Sequence, residues 1–166
     1  CSSLLPALPE RERFRRHGRV FGRWCAARAE ERRAFVTPLR QVLAWVGRDV
    51  DFAKIDAQGA DISVVESGAP LLHRLKRFAL EVVADDCAPI YARQPRCSEV
   101  VARAAALGFF PAREVTCGPV VLPGLSLHRA GGRTVRASLC EMSLLFVARG
   151  VPDESKWLEY HDTGVR

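Results

Sequence analysis

Six cysteines in 166 residues are too few for a miniature scaffold that relies on disulfides in place of a core. No two of them stand as Cys-x-x-Cys, which disfavours a structural zinc site. No uninterrupted apolar run approaches the ~18 residues of a membrane-spanning helix. Lysine is confined to Lys54, Lys76 and Lys156, and aromatic residues make up only 8% of the chain. A surface built to grip nucleic acid would interleave aromatics and glycines among its cations. Here the arginines are spread along the whole sequence instead. His17, His73, His128 and His161 are scattered, and Ser126 and Ser138 lack a nucleophile-elbow setting, so a hydrolase triad has no support. Internal repeats, low-complexity tracts and any sign of a second domain are also lacking.

What is present is a chain of 48% apolar and 27% charged residues, enough for one domain with a core. Its net charge of +6 sits in the first third, where Arg11, Arg13, Arg15, Arg16, Arg19, Arg23 and Arg28 carry most of it. Such a stretch is either a solvated face or an attractor for phosphate and anionic surfaces. The first residue is Cys1, not Met, so sequence is expected upstream.

Periodicity sharpens at Thr37, which reads as an N-cap before Pro38. Leu39, Val42, Leu43 and Val46 follow at i, i+3, i+4 and i+7, one helical face, and Gly47 closes it. Val50 to Asp56 reads as a strand ending at the turn Asp56-Ala57-Gln58-Gly59. A second helical stretch runs from about Asp61 to Leu75, with a break at Pro70. Arg77 to Ala84 is an apolar run interrupted by Glu81, as expected of a central strand. Ser98 can cap a third helix, which Gly108 ends. Phe109–Val121 and Met142–Ala148 read as two more strands, separated by a loop over Gly124–Arg136. This alternation predicts an α/β fold with an open sheet, its last two strands forming an antiparallel pair at the edge.

In open α/β sheets ligands bind outside the carboxyl ends of the strands. Asp56, Gln58 and Gly59 fall there, and Gly59 lets a ligand approach the backbone closely. Asp56 is able to take a proton or orient a hydroxyl; its bland alternative, shared with Asp61, is to cap the next helix. Glu81 is a carboxylate in an apolar strand, costly unless paired, and Lys54 or a neighbouring Arg is its plain partner.

These residues carry a resemblance. Lys54-Ile55-Asp56-Ala57-Gln58-Gly59-Ala60-Asp61 is similar to the Lys-Ile-Asp-Val-Gln/Glu-Gly-x-Glu signature of FkbM-type S-adenosylmethionine-dependent methyltransferases. Thr37-Pro38-Leu39 resembles the helix start ahead of it, and Phe78-Ala79-Leu80-Glu81-Val82 the strand after it. Cys140-Glu141-Met142-Ser143-Leu144-Leu145-Phe146-Val147 resembles the closing strand, and Ser2-Ser3-Leu4 a Ser-rich segment nearer the start. The resemblance implies a partial Rossmann-like open sheet, the second half of a class I methyltransferase fold. On that basis residues 1–36 form a basic lead-in, 37–150 the methyltransferase portion and 151–166 a tail. It further implies O-methylation of a small-molecule or glycan hydroxyl with S-adenosyl-L-methionine as cofactor. Asp56 and Glu81 would be catalytic, and Lys54, Gln58 and Gly59 would face the substrate. The glycine-rich cofactor loop is expected upstream of Cys1.

Two alternatives stand beside this: a non-catalytic remnant or interaction module of the same fold, and, ranked last, a binder of nucleic acid or anionic surfaces. Cys87 with Cys97, and Cys117 with Cys140, would form two local disulfides in an oxidising compartment, which would point to the secretory pathway. Four cysteines allow three pairings, and free buried thiols, pointing to the cytoplasm, are the competing reading.

Overall fold

The computed structural model describes residues 33–128 and 134–152, with Leu5. Most of the basic lead-in, including Ser2–Ser3–Leu4 and the arginines at 11–28, lies outside the described residues, as do His17, His161 and the tail from 153 onward. Among the described residues no helix is long and apolar enough to cross a membrane.

The chain forms an α/β structure around an open, mixed four-stranded sheet. Its elements run α1 (Leu39–Val46), β1 (Ala53–Ile55), α2 (Asp61–Glu66), a 3₁₀ turn (Leu71–Arg74), β2 (Arg77–Val83), α3 (Cys97–Ala106) and β3 (Phe109–Pro111). β4 (Val120–His128), β5 (Thr134–Leu139) and β6 (Glu141–Ala148) complete it. The sheet order is β1-β2-β6-β3, with β4 and β5 pairing separately. β1 and β2 are parallel, and β6 lies antiparallel to both β2 and β3. The expected antiparallel pair is therefore present, but its last strand is inserted inside the sheet and β3 takes the edge.

Alternation sorts the side chains. Ile55, Phe78, Leu80, Val82 and Phe146 join Ile62 and Val65 of α2 and Cys97, Val100 and Ala104 of α3 in one core. Phe78 stacks on Phe146 with ring centroids 5.1 Å apart and meets Phe109 at 4.8 Å. Because side chains alternate along a strand, Lys54, Glu81, Ser143 and Glu141 belong to the opposite face.

Several local expectations need correction. Thr37 does not cap α1: Pro38 occupies the N-cap position without a side-chain bond. The cap comes from Ser67, whose Oγ accepts the Leu39 N–H at 2.9 Å and donates to the Val64 carbonyl. Gly47 does close α1, at φ 69°. Ser98 does not cap α3, which starts at Cys97; instead the Asp85 carboxylate accepts the Ser98 N–H at 3.0 Å. The apolar stretch from Phe109 is not one strand: β3 ends at Pro111, with a last backbone bond from Ala112 N–H to the Leu145 carbonyl, and β4 starts only at Val120. The supposed loop over Gly124–Arg136 belongs largely to the β4–β5 hairpin.

Ser67→Ala is expected to destabilise the protein by about 1 kcal/mol, the usual cost of a lost N-terminal cap. Urea denaturation measures this, and an unchanged midpoint would show that Ser67 does not hold the start of α1.

Candidate functional site

The turn after β1 is built from two successive residues with positive φ, Gln58 at 49° and Gly59 at 94°. Glycine tolerates this conformation, whereas a non-glycine residue there is strained and must be held by its surroundings. Gln58 is held on both sides. Its Nε2 donates to Asp56 Oδ1 at 2.8 Å, and the Tyr91 hydroxyl donates to its Oε1 at 2.9 Å. Gly59 is buried, and a Cβ there would lie 3.1 Å from Gln94 and Tyr91. Gln94 in turn accepts the N–H groups of Ile90 and Tyr91 through Oε1. The loop after β2 is thereby locked onto the turn after β1.

Asp61, 3% exposed, turns its carboxylate back to the same turn. Oδ2 accepts the Gly59 N–H at 2.9 Å and Oδ1 the Ala57 N–H at 3.2 Å. The structural role therefore falls to Asp61, while Asp56 is exposed and points its bond toward Gln58. Asp61→Ala would leave buried donors without an acceptor, an expected loss of about 1–3 kcal/mol. Thermal or urea melts read it directly, and a loss within error would mean that the turn does not depend on this carboxylate.

Asp56 and Glu81 stand at the carboxyl ends of the adjacent parallel strands, close enough to repel each other. Glu81 has its pKa raised above the ordinary carboxyl value, first by burial and then by Asp56, with Lys54 opposing. Lys54 is thus an electrostatic neighbour of Glu81, although no direct ion pair joins them among the described residues. Sequence reasoning did not single out Glu141 as a site residue. The β2–β6 register sets Glu81 opposite Ser143 and Val83 opposite Glu141, so both glutamates share a face. The Glu141 pKa is raised too, by burial first and then by Glu81, Asp56 and Asp61. Tyr91 and Gln94 also belong to the site, and no local pattern announces them, because their partners lie more than thirty residues away in the chain.

The arrangement offers partly buried carboxylates beside an ordered amide and a phenol, suited to orienting a hydroxyl or accepting its proton. Among the described residues no set of three His, Cys, Asp or Glu side chains converges to hold a metal ion.

The cysteines pair differently from the expected arrangement. Cys87 bonds to Cys140 and Cys97 to Cys117, with Cα separations of 5.6 and 5.4 Å. The reason lies in the backbone. The Ala84 and Asp85 N–H groups donate to the carbonyls of Cys140 and Cys117, so both hairpin legs converge on the end of β2.

Compared with protein-family models, curated proteins and solved structures, the chain has no significant match.

Proposed function

We propose that this chain is the acceptor-side half of an FkbM-like, S-adenosylmethionine-dependent O-methyltransferase with a Rossmann-like sheet. The observation that carries the reading is the meeting of Asp56 and Glu81 at the carboxyl ends of adjacent parallel strands, above a strained Gln58–Gly59 turn. Two further features support it. The signature Lys54–Asp61 folds as a strand end and a turn leading into α2, and the closing strand lies antiparallel within the sheet.

When bound, S-adenosylmethionine supplies an electrophilic methyl group on a positively charged sulfonium. An acidic tip fits that charge. Within this chain, Glu81 is the proton acceptor for the substrate hydroxyl, since burial and the neighbouring Asp56 make it more basic than an ordinary carboxylate. Asp56, fixed by the Gln58 amide, orients the same oxygen, and Lys54 moderates the local negative charge. Holding the acceptor in line with the methyl group supplies the larger part of the acceleration.

Calorimetry of the gene-encoded protein with S-adenosylmethionine, followed by transfer of a labelled methyl to hydroxyl-bearing small molecules and glycans, tests this. Saturable binding and label in an ether-linked methyl support the proposal; absence of both overturns it.

The interaction-module reading has one observation in its favour. Val42, Trp45 and Val46 of α1 are exposed, Trp45 at 69%. A chain that binds no cofactor yet loses a protein partner on Trp45→Ala would favour that reading.

A further inference from the structure

We infer that the Cys87–Cys140 disulfide is a redox latch on the acidic tip, tying the loop that holds Gln58 and Gly59 to the strand that bears Glu141. As regulation of methyl transfer this rests on the function proposed above; as a conformational device it stands on the geometry alone.

Among the described residues the β4–β5 hairpin pairs with no strand of the main sheet. Two-stranded sheets of this kind are marginal in water unless something anchors them. Beside the backbone bonds from Ala84 and Asp85, two of the anchors here are covalent. Cys117, just ahead of β4, is bonded to Cys97 in the first turn of α3, and Cys140, directly after β5, is bonded to Cys87.

The two bonds differ in what they join. Cys97–Cys117 ties the first residue of a core helix to the hairpin leg ahead of β4. Cys87 belongs to the loop 84–96 that also carries Tyr91 and Gln94, the residues that hold Gln58 and Gly59. Cys140 is the immediate neighbour of Glu141, which lies on the same sheet face as Glu81. One bond therefore spans the tip from the loop side to the β6 side. Cys140 is half-buried and Cys87 buried, so exchange with a thiolate starts from the Cys140 end in this proposal.

Opening needs a dithiol as co-reactant. One of its thiolates attacks Cys140 Sγ, the S–S bond breaks, and Cys87 leaves as a thiolate that takes up a proton. The second thiol then attacks the mixed disulfide and releases Cys140 as a thiol. Two electrons and two protons pass to the protein and the dithiol becomes a disulfide.

Hydrogen exchange of the full chain, oxidised and in a dithiol buffer, and of Cys87→Ser reads the latch. Opening is expected to accelerate exchange of the Ala84, Ile90 and Tyr91 amides about tenfold or more, while the β2–β6 ladder keeps its protection. Reoxidation should restore the slow rates in the wild type. Unchanged exchange at these amides overturns the proposal, as does equal acceleration throughout β2 and β6, which would make the bond a general staple of the fold. Cys97→Ser serves as the comparison and is expected to leave Ile90 and Tyr91 slow; fast exchange there in this variant also overturns it. None of these readouts requires a methyl donor. A latch that behaves as stated in a protein that binds no S-adenosylmethionine therefore defeats only the functional reading.

Discussion

Phe78→Ala is expected to lower the free energy of unfolding by about 3–5 kcal/mol, the range for deleting a fully buried aromatic ring. Phe78 is 0% exposed and lies on the central strand, opposite Phe146 in the β2–β6 register. Its ring stacks on Phe146 and meets Phe109, so one side chain joins β2, β6 and β3 under α3. Removal leaves a cavity that three strands cannot collapse to fill without giving up their pairing. Domains are stable by only about 5–15 kcal/mol, so the variant sits near the threshold for remaining folded. Phe110→Ala makes the control. That ring is 37% exposed beneath the Arg149 guanidinium at 5.2 Å, and its loss should cost less than about 1 kcal/mol. Urea denaturation of the pair decides the matter. Equal losses, or a loss below about 1 kcal/mol for Phe78→Ala, would mean that the three phenylalanines do not form the centre of the core.

How much of this was legible in the sequence follows from the range of each interaction. The apolar spacing of Leu39, Leu43 and Val46 and the stop at Gly47 are local, and α1 matches them within a residue. The run Arg77–Ala84 reads as a central strand because only a strand covered on both sides tolerates so little polarity. β2 lies between β1 and β6. What stayed hidden depends on distant partners. Ser67 caps a helix twenty-eight residues earlier in the chain, so the local signal at Thr37 pointed to the wrong oxygen. The cysteines were matched to their sequence neighbours, whereas the convergence of both hairpin legs on Ala84 and Asp85 sets the true partners. The hairpin looks like loop in the sequence because its glycines and charges mask the alternation of Leu125, Leu127, Val135 and Ala137. At the candidate site, Asp56, Gln58, Gly59 and Glu81 were legible as carboxyl-end residues. Glu141 was not, since it reaches the cluster only through an antiparallel insertion that local periodicity does not encode.

Glu81→Gln is expected to reduce methyl transfer by about 10²–10⁴-fold, the usual contribution of a positioned base, with cofactor affinity unchanged. The amide keeps the shape and much of the hydrogen bonding of the carboxyl, so the fold should survive; what is lost is the capacity to accept a proton. Glu141→Gln separates the base from its electrostatic setting. Burial raises the Glu81 pKa first, with Asp56 repulsion next, and Glu141 is raised by burial and then by Glu81 itself. A carboxyl whose folded pKa lies above its unfolded value favours the folded state while protonated, and that advantage is lost as pH rises through the folded pKa. Replacing Glu141 by Gln removes one such group, raised by burial first and then by Glu81, Asp56 and Asp61. The variant should therefore be more stable than the parent at neutral pH, and the difference should vanish near pH 3, where both carboxyls are protonated in either state. In Glu81→Gln the pH at which Glu141 ionises should fall, because Glu81 is one of the charges that raise it. Paired urea melts at acid and neutral pH, together with rate profiles of the parent and both variants, measure these effects. A stability difference of the opposite sign, or a profile that keeps its lower limb in Glu81→Gln, would show that the two glutamates do not act on one another or on the reaction.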